Sequence, residues 1–294
     1  KIDTNAENGD YLTVSGRFLM CLLERRIIYP TYSATSPTKY SDIVHSVVSQ
    51  NCMNDDNRRI PGLSLGEVSG ECWEQTTKLQ VSYTNLMEWI YTICEKIGGT
   101  ANIRLSKIEN EHYQMLFELS QGVDRSIMQE ENPHIVFSDG YSNLLSFNYA
   151  EDISVQQNFA YVLGHGEGAD RKRTTYFDGD EPSYLERYEV YVDADDISEE
   201  EQLDGETRQI PEEEYIELLK NRGSEKMVSP KTASESTIAA NNTQYQYQKD
   251  YAVGDYVTVQ HRRFGMIQPK IQLIGMVEGF DQNGRSLTPT FKEV

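Results

Sequence analysis

The chain has 294 residues, 38% hydrophobic and 25% charged, which is too long for one small core and suits about two domains. Its 19 Tyr, 9 Phe and 2 Trp exclude a disordered chain, and its longest apolar run, residues 18–23, excludes a membrane span of roughly 20 residues. The net charge of −20 argues against sequence-reading nucleic-acid binding, because an acidic surface repels phosphate at physiological salt.

Residues 10–15 alternate like a strand that ends at Gly16. Phe18, Leu19, Leu22 and Leu23 then recur at helical spacing until Pro30. Ser41 is the expected N-cap of a helix whose apolar face is Ile43, Val44, Val47 and Val48. After Ser82 a second helix places Leu86, Ile90, Ile93 and Ile97 on one face, and Gly98-Gly99 stops it. From about Asn102 the period changes to that of strands. Residues 103–105 and 113–119 read as a strand pair joined by a polar turn, and residues 134–138, 144–149 and 158–163 read as further strands. Tyr184, Tyr188, Val190 and Val192 share one face of an expected half-buried antiparallel strand.

The acidity is concentrated. Residues 178–217 hold Arg187 and Arg208 against 17 acidic groups, a net −15. Such a block reads as a solvated loop and helix face, or more sharply as a surface that avoids polyanions or meets a basic partner. Within it, Pro211, the acidic turn Glu212-Glu213-Glu214, the apolar pair Ile216 and Leu219, and Lys220 and Arg222 before Gly223 predict a short helix. The flanks, residues 193–207 and 224–236, read as loops. Near the C-terminus Tyr245-Gln246-Tyr247 alternates, Val253-Gly254-Asp255 is a turn, and residues 256–259 and 270–278 are strands. Gly275 hints at a bulge, and Asn283-Gly284 is a type I′ hairpin signal before a last strand at 286–291.

Chemistry-bearing patterns are few. Cys21, Cys52, Cys72 and Cys94 have no C-x-x-C spacing and fit a reduced compartment. The histidines at 45, 112, 134, 165 and 261 make no paired-ligand motif, and His45 reads as a helix-flank residue. Gly164-His165-Gly166-Glu167-Gly168 lacks the Lys-Ser/Thr ending of a phosphate loop and reads as a tight connection between strands. Asp193-Ala194-Asp195-Asp196 opens like a calcium loop, but Ile197 and Ser198 break the EF-hand frame. No catalytic, metal-binding or cofactor-binding residue is assigned, and no enzyme is expected.

Taken in order, several segments resemble one family. Val14-Ser15-Gly16-Arg17-Phe18-Leu19 with Leu22-Leu23-Glu24-Arg25-Arg26-Ile27-Ile28, then Arg58-Arg59-Ile60-Pro61, resemble the opening of siphophage tail-hub proteins of the ReqiPepy type. His134-Ile135-Val136-Phe137-Ser138 with Asn143-Leu144 is similar to a later pair of blocks in that family. So are Asn158-Phe159-Ala160-Tyr161-Val162-Leu163-Gly164-His165-Gly166-Glu167-Gly168 and Glu186-Arg187-Tyr188-Glu189-Val190-Tyr191-Val192-Asp193-Ala194. Tyr245-Gln246-Tyr247-Gln248-Lys249-Asp250-Tyr251-Ala252-Val253-Gly254-Asp255-Tyr256-Val257-Thr258-Val259 resembles its C-terminal block. Two departures stand out: a further strand-rich segment that opens the family is not seen here, and Pro289-Thr290-Phe291-Lys292 lacks the Gly that often follows Phe.

The resemblance implies an α+β chain, mostly antiparallel β, with two β-barrel-like hub domains and small α/β insertions, similar to the T-even phage baseplate hub. The implied division is 1–80, part of a first barrel with helices whose N-terminal strands are missing; 81–130, an inserted α/β subdomain; 131–195, the start of a second barrel; 196–236, an acidic helical insertion; and 237–294, the second barrel's C-terminal meander. It implies a homotrimer in the tail baseplate that caps the tail tube and lets DNA pass without binding it. The implied partners are the distal tail, tail tube and tape-measure proteins, and the implied location is the virion tail after synthesis in the bacterial host cytoplasm. The alternatives are a receptor- or carbohydrate-binding tail module that uses exposed Tyr, and a tail-associated wall-degrading enzyme with an acid/base or metal site in a cleft.

Overall fold

The computed structural model of the chain describes residues 2–5, 9–108, 113–152, 154–168, 171–203, 206–227, 231–238, 244–262, 266–282 and 284–293. The chain opens on a hairpin of β1 (Ile2–Asn5) and β2 (Gly9–Leu12). A 3₁₀ turn at Leu19–Arg25 follows, where the apolar spacing had predicted a longer helix. Next come β3 (Tyr32–Lys39), α1 (Tyr40–Cys52), β4 (Leu63–Val68), β5 (Thr76–Val81), α2 (Leu86–Ile97), β6 (Gly99–Lys107) and β7 (Tyr113–Gln121). Strands β3 and β5 pair antiparallel, while β4, β7 and β6 form a sheet in that order. Both sheets and both helices share one core, in which Trp73, Ile43, Val44, Val47, Ile90, Ile93 and Phe117 are fully buried. Asn85 caps α2 by accepting from the amides of Met87 and Glu88, and Gly98 ends it at φ +69°.

A second core lies in a six-stranded sheet built from β8 (Val136–Ser138), β9 (Leu144–Asp152), and four later strands: β15 (Lys231–Ile238), β16 (Tyr256–His261), β17 (Met266–Asp281) and β18 (Gly284–Glu293). The order is β8-β16-β17-β18-β15-β9, antiparallel except for β8 against β16. Its two edge strands are consecutive in sequence. Laid flat, the edges would stand about 24 Å apart, yet residues 139–143 between them reach at most about 21 Å. The sheet must therefore curl. Asn143 holds the edges together, accepting from the Ser138 amide (2.7 Å) and donating to the Val136 carbonyl (2.9 Å). Phe137, Val257, Val259, Ile271, Leu273 and Phe291 fill the barrel-like interior.

Between the paired residues Asp152 and Lys231 the chain leaves this sheet to build a third core. That unit holds β10 (Phe159–Leu163), β11 (Arg173–Tyr176), β12 (Glu189–Asp193), the hairpin β13 (Glu200–Leu203) and β14 (Glu206–Gln209), and α3 (Glu212–Lys226). Tyr215, Leu218 and Leu219 of α3 pack on Ala160, Val162 and Val192.

The structure departs from the sequence expectations at specific places. Lys39, not Ser41, precedes α1, and Ser41 is buried inside its first turn. β12 is parallel to β10, and residues 184–186 form a 3₁₀ turn ahead of it, so the expected antiparallel strand is half its length. The expected loop at 193–207 contains most of a hairpin. That at 224–236 finishes α3 and then becomes β15, an interior strand of the barrel-like sheet. Gly223 does not stop α3; it lies inside the helix where a Cβ would come within 2.8 Å of Val162. Ile216 is only partly buried, and the buried pair is completed by Tyr215 and Leu218. Tyr245 and Tyr247 pack against the barrel core without forming a strand. The bulge at Gly275 is present as a register shift after Leu273, and pairing of β17 with β18 closes at Asp281 and Gly284. Asn283 and the polar turn at 109–112 lie outside the described residues.

Candidate assembly surfaces

The three cores are locked by two polar seams. In the first, Asp255, 5% exposed, accepts from the Val123 amide (2.8 Å), the Ala252 amide (3.0 Å) and Arg125 Nε (3.1 Å). One carboxylate thus ties the end of the helical core to the barrel. Backbone runs tightly against backbone here. A Cβ on Gly122 would stand 1.7 Å from the Gly254 carbonyl oxygen, and Gly254 itself sits at φ +103° against Thr100. Lys270 extends the seam, pairing with Asp124 at 2.7 Å and covering the Tyr256 ring.

The second seam joins the third core to the first. The Arg222 guanidinium grips Asp196 with both nitrogens (2.7 and 3.0 Å) and donates to the Gln80 carbonyl at 3.1 Å. Burial works against the Arg222 charge, but Asp196 outweighs it and raises its pKa. The Gln80 side chain accepts from the Ser198 amide (2.7 Å), and Asn221 donates to the Lys78 carbonyl (2.7 Å). Planar, two-pronged pairing of this kind fixes orientation as well as proximity. The inserted unit is therefore docked on the helical core, although its covalent connections run to the barrel.

The acidic block is partly neutralised from outside itself. Arg171 pairs with Asp193, whose pKa is lowered chiefly by that contact; Lys172 meets Glu212 (2.8 Å) and Lys78 meets Glu217 (3.1 Å). Asp178, Asp180, Glu186 and Glu213 are exposed and have no ion pair among the described residues.

The glycine-rich loop, the histidines and the cysteines occupy structural positions. The glycine-rich loop connects β10 to β11, and Tyr215 anchors it by accepting from the His165 amide (2.9 Å) and donating to the Ile197 carbonyl (3.0 Å). A Cβ on Gly164 would meet the Tyr215 hydroxyl at 2.5 Å, so the loop depends on that glycine for close approach. His165 lies 3.2 Å from Asp195, His134 contacts the Gln129 carbonyl, and His45 packs edge-on to Phe117. All four cysteines are free thiols, with Cys52, Cys72 and Cys94 buried. Among the described residues no group of three or more His, Cys, Asp or Glu could hold a metal ion, and no helix is long and apolar enough to cross a membrane. A cavity of about 130 Å³ lies between α2 and α3, lined by Trp89, Thr92, Arg222 and Glu225 among others.

The fold is similar to that of a solved tail protein. A tail protein from Neisseria meningitidis MC58 superposes on 100% of this chain and 77% of its own length with a TM-score of 0.55 at 13% identity. The 43 kDa tail protein of prophage MuSo2 from Shewanella oneidensis covers 94% of this chain and 72% of its own, with a TM-score of 0.47 at 10% identity. The model of the Siphovirus ReqiPepy6 Gp37-like protein family matches residues 1–291, and the chain belongs to that family of siphovirus tail proteins. No curated protein matches it.

Proposed function

We propose that this chain is a hub component of a tail baseplate, three copies of which form a ring that caps the tail tube and leaves an opening for DNA. The observation that carries the reading is the family match over residues 1–291. Two physical features support it. The barrel-like sheet and the helical core are held at a fixed angle by the Asp255 and Gly122 seam, as a ring segment needs. The unpaired carboxylates give passing DNA repulsion rather than adhesion. The distal tail, tail tube and tape-measure proteins are the corresponding partners. The chain's destination is the virion tail, after synthesis in the host cytoplasm.

Antibody raised against this chain and applied to isolated tails tests the reading by electron microscopy. Label confined to the end of the tube remote from the head is expected. Label along the tube or on lateral fibres contradicts it.

A second reading has one observation in its favour. Tyr161 and Tyr191 are cross-strand partners, 42% and 58% exposed, with Arg187 and Arg171 donating to their hydroxyls at 3.1 Å each. Such an aromatic platform could stack on a sugar ring. Glycan binding that Tyr191→Ala abolishes would favour a receptor-binding module; a hub predicts no glycan binding at all.

A further inference from the structure

Between β11 and β12 the chain makes a projecting turn whose tip is apolar. Tyr184 and Leu185 are each 95% exposed. Tyr184 sits at φ +50°, a conformation that a bulky residue adopts only when its surroundings impose it. Those surroundings are well built. Arg187 lies 3.5 Å above the Phe159 ring and donates to Glu181 (2.8 Å), Glu189 (2.6 Å) and the Tyr161 hydroxyl (3.1 Å). Asn158 ties the far side, donating to the Glu186 carbonyl (2.7 Å) and accepting from the Tyr188 amide (2.8 Å). A turn fixed this firmly pre-organises its tip, which lowers the ordering cost of binding. Two large apolar side chains held in water on a rigid base have no role in this chain's own cores.

We propose that the Tyr184–Leu185 tip is a peg that seats in an apolar pocket rimmed by Lys and Arg on a different protein of the tail. The inference rests on the tail-component reading and names the chemistry of one partner. Charge selects the occupant. Asp178, Asp180 and Glu186, in the same connection between β11 and β12 as the tip, are exposed and lack ion pairs among the described residues, so the matching rim is basic. A second copy carries a net −20, which opposes an acid-edged tip. An anionic bilayer is repelled by the same carboxylates.

The test uses tails assembled without this protein, prepared from a phage carrying a nonsense codon in its gene. Full-length chain is added, and the amount that sediments with the tails is measured at low and high salt. Tyr184→Ser with Leu185→Ser should lower incorporation about thirtyfold while leaving thermal unfolding and solution mass unchanged. Asp178→Lys with Asp180→Lys and Glu186→Lys should lower it about tenfold at low salt, with the difference shrinking toward 1 M salt. Incorporation of the serine variant at the wild-type level overturns the proposal. So does a drop in that variant's solution mass, which would make a second copy the occupant. Tip-dependent binding to phosphatidylcholine vesicles would overturn it in favour of lipid. Failure of the unmodified chain to enter the tails contradicts the tail-component reading itself, and the peg falls with it.

Discussion

Asp255 and Gly122 show how much of the seam between two cores depends on single atoms. The Asp255 carboxylate satisfies two backbone amides and a guanidinium in a site with little water, where each of those donors would otherwise be costly to bury. At Gly122 the constraint is steric, because the neighbouring carbonyl leaves no room for even one methyl. Gly122→Ala is expected to destabilise the protein by about 3 kcal/mol, read from urea unfolding. An unchanged midpoint would mean that the two backbones do not meet as described. The cysteines allow a second check at this scale. Burial pushes the Cys52 thiol up to about 11 and the Cys94 thiol up to about 12, and raises Cys72 as well. At pH 8 a thiol-reactive probe should therefore modify the half-buried Cys21 first in native protein, and the other three only after unfolding. Equal labelling of two or more thiols in native protein would contradict this burial pattern.

Helix α3 carries the seam of the inserted unit, and two substitutions on it separate pairing from burial. Arg222→Met removes the two-pronged bond to the exposed Asp196 and the bond to the Gln80 carbonyl, and is expected to cost about 1–2 kcal/mol. The loss should be read as faster amide exchange in α3 and in β5, which Arg222 also bonds. One turn on, burial holds the Glu225 carboxyl above the usual carboxylate range, against the pull of Lys96, Arg222 and Lys226. A raised folded-state pKa gives stability that is complete below the ordinary value, about 4.3, and lost as pH rises through the raised value. Glu225→Gln should therefore flatten that decline and raise the melting temperature at neutral pH; parallel pH profiles for the two proteins would contradict it. Legibility in the sequence follows the same physics. Helix α2 was readable because its apolar spacing and its Gly98 stop coincide, and β7 and β18 because alternate residues in each are buried. Strand β15 was not, since Lys-Thr-Ala-Ser-Glu-Ser-Thr-Ile has almost no apolar alternation and its strand state comes from two flanking ladders. The parallel pairing of β12 was equally hidden, because alternation reports a buried face and says nothing about the direction of a neighbour. Of the assembly surfaces, the acidity was visible, but not the cations from Arg171, Lys172 and Lys78 that fold back onto it, nor the turn that lifts Tyr184 and Leu185 out of what read as strand.

Across the whole molecule the third core is covalently an insertion in a hairpin of the barrel-like sheet, yet it is docked on the helical core through Arg222 and Asp196. This cross-bracing makes one body of three small cores, the rigidity that a ring segment of the proposed kind needs. Its surface charge is mixed: Asp193, Asp196, Glu212 and Glu217 of the inserted unit are paired, as are Glu181 and Glu189 at the turn, while Asp178, Asp180, Glu186 and Glu213 are exposed without an ion pair among the described residues. A ring of such bodies around a tube would present rigid, acid-edged segments to the DNA that passes. Cryo-electron microscopy of isolated tails tests this most directly. Three copies arranged about the tail axis at the end of the tube, enclosing an opening wide enough for duplex DNA, are the predicted result. Copies found only on peripheral fibres, or a copy number that does not close a ring on the axis, would contradict it.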